Sequence, residues 1–266
     1  MFFERAGSPS AVEPWLIWLG SEVKRALLVL TLLVVVAAGL LWLRLRTAPL
    51  QAIVHGGSGP PALVLLHGYG SRAEDWLQFE QKLVLPGNTQ LHYPQAPLRG
   101  PFSGSRGWWW LNLNGHVPPG EAFADYSKVH PQGIQVASRL VRNYLDDLRE
   151  PIILGGFSQG AMTSAEVAFH SDQELAGLIL LSGTTVDEEG WAEHFAGRRH
   201  LPIFIAHGRK DSVLPFERME RFQARLKAFG LNVTWLPFEG DHGIPDEVVD
   251  GMSAFIRSVF QRDTPF

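Results

Sequence analysis

The chain has 266 residues, of which 45% are hydrophobic and 19% charged, and this composition is typical of a globular protein with a sizeable core. Its net charge is -4 at pH 7, and it has no long run of Lys and Arg, which argues against nucleic acid as a partner. The sequence contains no cysteine, which excludes disulfides, zinc sites with thiolate ligands and a cysteine nucleophile.

The first distinct segment is an uncharged apolar run, residues 26–43, which follows an N-terminal tail at 1–25. As a helix this run would measure about 27 Å, close to the hydrocarbon thickness of about 30 Å. It therefore predicts one transmembrane helix, and we expect a single-pass membrane protein whose catalytic domain lies on the non-cytoplasmic side. One alternative is a cleaved signal peptide, because Val36-Ala37-Ala38 offers small residues at a cleavage position. Another is a helix that binds a partner span.

The segment 44–60 is rich in Gly, Pro and Ser, which predicts a linker in which Gln51 to Val54 can form an edge strand. From residue 61 to 262, short apolar runs alternate with amphipathic helical stretches. This alternation predicts an α/β catalytic domain with a mostly parallel sheet and helices on both faces. The predicted strands are 62–66, 152–154, 178–181, 203–206 and 233–236, and the clearest predicted helices are 133–148, 161–170 and the last one, which follows Pro245.

One of these strands ends in Gly156-Phe157-Ser158-Gln159-Gly160, directly before a predicted helix. A Gly-x-Ser-x-Gly sequence between a strand and a helix is typical of a nucleophile elbow, which exposes the serine hydroxyl above the sheet. The pentapeptide alone also fits an ordinary turn. A serine nucleophile needs a base, an acid that orients the base and an oxyanion hole, and on this fold the order is Ser, Asp, His.

Candidates for all these parts follow other strands. Asp211 lies in the loop after strand 203–206 and is predicted to orient the base, and His242 lies after the last strand and is predicted to be the general base. Asp241 could replace Asp211, but its adjacency to His242 gives it poor geometry for the ring. The oxyanion hole would use the backbone N–H groups of Gln159 and Tyr69. We expect His67, which precedes that loop, to support it rather than to act as a base.

With these residues assembled, the sequence resembles the phospholipase/carboxylesterase family of α/β-hydrolases, which includes the acyl-protein thioesterases. The motifs that carry the resemblance are Leu-His-Gly-Tyr-Gly at 66–70, Gly-Gly-Phe-Ser-Gln-Gly at 155–160, His-Gly-Arg-Lys-Asp-Ser-Val-Leu-Pro at 207–215 and Asp-His-Gly-Ile at 241–244. The resemblance covers roughly residues 60–262. It implies an α/β-hydrolase fold without a large cap, the triad Ser158, Asp211 and His242, and the oxyanion pair Tyr69 and Gln159.

The long loop at 94–120 is predicted to border the substrate pocket. It contains Trp108, Trp109 and Trp110, which we predict as substrate-binding residues, with packing against the edge of the sheet as the alternative. The family often has Trp-Phe-Asp in this region. Here Trp108-Trp109-Trp110-Leu111 lacks the acidic residue, so the family's acyl-chain and head-group preference does not transfer.

The sequence therefore predicts a membrane-anchored serine hydrolase that cleaves carboxylic esters or thioesters through an acyl-enzyme. We expect a small-molecule substrate, lipid-like esters included, and no cofactor or metal. A lysophospholipase, a peptidase or an acyltransferase would use the same machinery. A binding module on an inactive hydrolase scaffold is the alternative from another class of protein.

Overall fold

The structure is a computed structural model that describes residues 20–47, 49–111 and 125–262. Two parts of the predicted segments lie outside these ranges: residues 1–19 of the tail and residues 112–120 of the loop predicted to border the pocket. The chain divides into two units between Ala48 and Pro49.

The described part of the first unit is a helix, α1 (Ser21–Thr47). Within the described ranges we find no helix that combines the length and the apolar character needed to cross a bilayer. The prediction of a transmembrane helix at 26–43 is therefore wrong, and the membrane attachment expected from it is withdrawn. The prediction was marginal in physical terms: the run lies at the short end of the roughly 17 to 25 apolar residues that a span needs. Its leucines favour a helix in any surroundings, and the helix did form.

The second unit is built on a sheet. Its described strands are β1 (Ala52–Gly56), β2 (Ala62–Leu66), β3 (Gln90–Pro94), β4 (Leu98–Arg99), β5 (Arg106–Gly107), β6 (Ile152–Phe157), β7 (Gly177–Leu181), β8 (Pro202–Gly208) and β9 (Asn232–Phe238). One sheet of seven strands has the order β1-β3-β2-β6-β7-β8-β9, and β4 and β5 form a separate antiparallel pair. Strand β1 runs antiparallel to β3 at one edge, and the other neighbours are parallel. The predicted mostly parallel sheet is confirmed.

Helices cover both faces of this sheet. They are α2 (Leu77–Glu80), α3 (Ile134–Asp146), α4 (Gln159–Phe169), α5 (Glu188–Ala192), α6 (Phe216–Ala228) and α7 (Asp246–Arg262). Buried residues of α3, α4 and α6 pack on one face of the sheet, and buried residues of α7 pack on the other. Every residue of β2 and β7 is buried, because strands covered on both faces have no solvent side. This arrangement explains why these strands appear in the sequence as continuous apolar runs.

The candidate site residues follow the carboxyl ends of these parallel strands. Tyr69 comes after β2, Ser158 after β6, Asp211 after β8 and His242 after β9. Because parallel strands end at the same edge, the fold brings loops from four strands to one edge of the sheet, where open α/β sheets commonly carry their ligand sites.

Candidate active site

Ser158 lies at the sharp turn between β6 and α4. Its backbone has φ 53° and ψ -118°, a conformation that L-residues rarely adopt, and its N–H donates to the carbonyl of Leu181 at 2.9 Å. The turn requires glycine on both sides. A Cβ on Gly156 would overlap the backbone of Gly160, and one on Gly160 would overlap the carbonyl oxygen of Leu66. These contacts hold the turn tightly against the end of β2.

The structure brings Asp211 and His242 together. Nδ1 of His242 lies 2.8 Å from Oδ2 of Asp211, and because a carboxylate only accepts, the ring donates. The Asp211 carboxylate is fully buried, whereas 15% of the His242 side chain is exposed. The Phe157 ring packs on the His242 ring with centroids 4.8 Å apart, which places the imidazole beside the turn that carries Ser158.

Asp211 is surrounded by donors. Its Oδ1 accepts from the backbone N–H groups of Val213 at 2.9 Å and Leu214 at 2.8 Å, and its Oδ2 also lies 3.1 Å from Nε2 of His207. Burial alone would raise the pKa of Asp211. The hydrogen bonds from His207, His242 and Leu214 outweigh burial and hold this pKa well below its ordinary value. The carboxylate therefore stays charged, with its orientation fixed from several sides.

Two loops must approach closely to form this pair, and several contacts hold them together. A Cβ on Gly208, at the end of β8, would lie 2.6 Å from the carbonyl oxygen of Asp241, so only glycine permits the approach. Asp241 accepts from the Ser212 N–H at 2.7 Å and the His242 N–H at 2.8 Å. In the structure its carboxylate thus bonds the backbone of both loops. Its contacts differ from those of Asp211, which bonds the His242 ring.

The predicted oxyanion donors belong to two segments that border Ser158. Gln159 is the first residue of α4, so its N–H has no acceptor within the helix. Tyr69 lies in the loop after β2. A Cβ on Gly68, its neighbour, would lie 3.3 Å from Cβ of Ser158, which shows how closely this loop borders the serine. The next residue, Gly70, has its N–H bonded to the carbonyl of Arg106 at 2.9 Å, which anchors the loop.

His67 supports this loop through hydrogen bonds of its two ring nitrogens. It is buried, its Nε2 accepts from the Ala96 N–H at 3.1 Å, and its Nδ1 lies 2.8 Å from the carbonyl oxygen of Gly68. These partners require the neutral ring with its proton on Nδ1. Burial lowers the pKa of His67, which favours the same neutral form.

The three tryptophans lie in different surroundings. Trp108 and Trp109 are buried, at 2% and 0% exposed, whereas Trp110 is 59% exposed. Trp108 donates from its indole to the carbonyl of His67 at 2.8 Å, and the Trp109 ring packs edge-on against Tyr126. The first two side chains are therefore part of the core of the fold, and Trp110 is the one that can reach a ligand.

Sequence reasoning missed two supporting side chains. The sequence assigns no role to His207, yet its ring contacts the Asp211 carboxylate. Gln159 was considered only for its backbone, yet its amide accepts from the Trp108 N–H at 2.8 Å and donates to the Trp109 carbonyl at 2.7 Å. The i, i+4 spacing of His207 and Asp211 was visible in the sequence. The contact of Gln159 joins segments about fifty residues apart and left no such signal.

A strained serine between a strand and a helix, on a mostly parallel sheet covered on both faces, is typical of the α/β-hydrolases, whose serine members include lipases and esterases. Comparison with known families makes the assignment finer. Residues 51–260 match the model of the phospholipase/carboxylesterase family, and the chain belongs to that family. It is thus a serine esterase, and the resemblance predicted from the motifs is confirmed.

Relatives in sequence agree with this assignment, and solved structures share the fold. Acyl-protein thioesterase 1 of Gibberella zeae is 27% identical over 207 residues, which are 72% of this chain and 84% of the relative. Acyl-protein thioesterase 1 homolog 1 of Dictyostelium discoideum is 26% identical over 75% of this chain and 91% of its own length. Among solved structures, esterase PE8 superposes with a TM-score of 0.68 at 24% identity, covering 80% of this chain and all of the esterase. Acyl-protein thioesterase 2 of Zea mays gives a TM-score of 0.62 at 23% identity, covering 79% and 98%.

Proposed function

We propose that this serine esterase hydrolyses acyl esters and thioesters through a triad of Ser158, Asp211 and His242. The observation that carries the proposal is the buried hydrogen bond from His242 Nδ1 to Asp211 Oδ2, formed beside the strained turn that presents Ser158. This bond selects the imidazole tautomer with its lone pair on Nε2, which is the tautomer that a general base requires.

In the proposed reaction Ser158 Oγ attacks the acyl carbonyl while His242 Nε2 takes the hydroxyl proton. Collapse of the tetrahedral intermediate breaks the bond to the alcohol or thiol, which leaves with the proton that His242 returns. Water then attacks the acyl-enzyme in the same way, with His242 again as base, and releases the carboxylic acid and Ser158. The charged, buried Asp211 stabilises the imidazolium that forms in each half of the reaction.

The backbone N–H groups of Tyr69 and Gln159 would stabilise the negative oxygen of both tetrahedral intermediates. Two observations favour this role. Gln159 directly follows the serine at the start of α4, and the β2 loop that carries Tyr69 packs closely against the serine. Loss of one such donor typically lowers the rate by about 100- to 1,000-fold. Because the donors are backbone groups, the loop geometry matters more than the side chains at 69 and 159.

Relatives of this chain bear the name acyl-protein thioesterase, which supports an acyl thioester as a substrate besides simple esters. Of the predicted substrate contacts, the exposed Trp110 is the one we retain. Trp108 and Trp109 contribute by fixing the segment from which Trp110 projects.

Fluorophosphonate labelling tests the nucleophile. Ser158→Ala should abolish labelling and lower the hydrolysis rate by about a million-fold if the triad acts as a unit. Ser182→Ala is a matched control, because Ser182 also follows a buried strand with a positive φ of 44° and should not be needed for labelling. Labelling that survives in Ser158→Ala would contradict the proposal. A folded wild type that fails to label would favour the inactive binding module.

A second measurement defines the substrate. Rates for p-nitrophenyl esters of increasing chain length, compared with thioesters of the same acyl groups, give the acyl-length optimum and the preference for oxygen or sulfur as the leaving atom. We expect hydrolysis of both classes, and an enzyme that cleaves the esters but none of the matched thioesters would contradict the thioesterase part.

A further inference from the structure

A second cluster of polar side chains lies away from the candidate active site. Nε2 of His130 and Nδ1 of His170 lie 2.8 Å and 3.0 Å from the same oxygen, Oε1 of Glu166. Glu166 lies in the last turn of α4, His170 directly follows that helix, and His130 comes from the segment before α3. Because α4 starts at Gln159, Glu166 lies about 12 Å along the helix axis from Ser158. The esterase mechanism does not use this cluster.

Neighbouring groups hold the carboxylate in one orientation. The Glu166 side chain is only 3% exposed, and its other oxygen, Oε2, accepts from the indole N–H of Trp191 at 2.8 Å. The His170 ring also packs against Gly190, where an added Cβ would lie 3.0 Å from Nε2 of His170. Outer partners of this kind are what metal-binding carboxylates and histidines require, since they fix the oxygen and the ring tautomer that face the ion.

The three atoms Nε2 of His130, Nδ1 of His170 and Oε1 of Glu166 suit a small divalent cation. All ligand atoms of the cluster lie within 4.8 Å of one another. In a tetrahedral zinc site with bonds of about 2.0–2.2 Å, ligand atoms are separated by roughly 3.4 Å, so small side-chain movements would complete the geometry. Two imidazoles and one carboxylate form a ligand set that zinc uses, with the fourth position left to water.

We propose that His130, Glu166 and His170 form a site for a divalent transition metal, with zinc the best match. On binding, each imidazole presents a lone pair to the ion. The proton with which that ring nitrogen contacts Glu166 before binding is released to water or moves to the other ring nitrogen. The histidine rings are 25% and 22% exposed, which gives the ion a path from solvent. This inference does not depend on the proposed triad.

The site would join two parts of the fold. His130 ends a segment whose carbonyls at Tyr126 and Val129 accept from the Asp187 N–H at 3.0 Å and 3.2 Å. A metal ion would add a direct bond between this segment and α4. We therefore expect a structural role, in which the ion stabilises the fold and leaves ester hydrolysis independent of metal.

The test uses the full-length protein, treated with a chelator and then titrated with Zn²⁺ in competition with a chromophoric chelator. We expect one tightly bound zinc ion per chain and a higher melting temperature with zinc. His130→Ala and His170→Ala should each weaken binding by more than about 100-fold, and Trp191→Phe, which removes only an outer hydrogen bond, by about 10- to 100-fold. Visible absorption of bound Co²⁺ should report a four-coordinate site in the wild type and not in His130→Ala.

His55→Ala is the matched control. His55 also pairs with a single glutamate, Glu80, at 3.0 Å, but this exposed pair has no second histidine in the described structure. The His55→Ala variant should bind zinc with the affinity of the wild type. Circular dichroism of each variant verifies that it is folded, and Ser158→Ala should bind zinc normally. Absence of stoichiometric zinc, or equal affinity in the wild type and His130→Ala, would overturn the proposal and leave Glu166 as a buried carboxylate neutralised by two histidine donors.

Discussion

At the scale of single residues, Asp211 is the most constrained group of the candidate site. The rings of His207 on β8 and His242 in the loop after β9, together with two backbone N–H groups, surround its carboxylate, so its charge is compensated although it is fully buried. Nε2 of His207 lies 2.9 Å from the Leu214 carbonyl oxygen as well as 3.1 Å from the carboxylate. This ring therefore links both sides of the Asp211 loop.

The low pKa of Asp211 predicts how stability depends on pH. Its unfolded-state pKa is about 3.9, so the stabilisation from these hydrogen bonds is present above about pH 4 and is lost as the pH falls towards the lower folded-state value. Melting temperatures measured between about pH 2.5 and 6 should fall more steeply for the wild type than for Asp211→Asn. Asp146→Asn, at an exposed position on α3, should follow the wild-type curve. Parallel curves for wild type and Asp211→Asn would contradict this prediction.

The sequence predicted Ser158, Asp211 and His242 because each follows an apolar strand and the order of the residue types is that of the fold. It did not predict the surroundings of Asp211. Those depend on how the loop folds back after β8, so that the N–H groups of Val213 and Leu214 meet a carboxylate earlier in the same loop. Such short-range loop geometry produces no periodic pattern of residue types in the sequence.

At the scale of elements, the site depends on the packing of α4 against the end of β2. Gly160, in the first turn of α4, lies directly against the carbonyl groups of Leu66 and His67. Because the loop after β2 carries Tyr69, this contact sets the spacing between the two predicted oxyanion donors. The turn glycines are thus part of the site geometry as well as of the fold.

Gly160→Ala should lower both stability and activity. The added methyl group overlaps backbone atoms that cannot rotate away, so we expect a loss of about 1–3 kcal/mol in the free energy of unfolding. The displaced loop should in addition lower kcat by about 100-fold or more in the fraction that stays folded. Urea denaturation and single-substrate kinetics measure the two effects. Gly197→Ala, where nothing lies within 4 Å of the new methyl group, should change neither.

Strand prediction succeeded for the buried apolar runs and for the alternating run at 233–236, and it missed β3, β4 and β5. Strand β3 was missed because Gln90 and His92 make it look polar, although His92 is only 3% exposed. Its ring is satisfied by Tyr144 Oη at 2.7 Å and Gln90 Oε1 at 3.1 Å, partners that only the folded chain supplies. The two-residue strands β4 and β5 were too short to show any pattern.

At the scale of the whole molecule, the esterase is contained in the second unit. Both hydrophobic clusters that cover the sheet take their described members from Leu50 onward. The family match at 51–260 covers the same part of the chain. At this scale the prediction that failed is the transmembrane helix at 26–43. An apolar composition predicts a helix there but does not define the environment of that helix.

A fragment that starts at Pro49 should fold and hydrolyse esters with the kcat/KM of the full-length chain, since it contains every candidate site residue and the complete sheet. Circular dichroism and the p-nitrophenyl ester assay compare the two proteins. A fragment that is soluble and folded but inactive would show that the first unit contributes to catalysis.

The bonds between Gln159 and the Trp108–Trp109 backbone have a consequence for anyone who wishes to redesign the substrate preference of this enzyme. Gln159, the residue after the serine, bonds the backbone of two consecutive tryptophans whose side chains are buried in the core, so replacing either side chain would leave a cavity beside the nucleophile turn. Trp110 carries no such restraint from Gln159 and is exposed. A mutant library should therefore begin at position 110 and leave 108 and 109 unchanged.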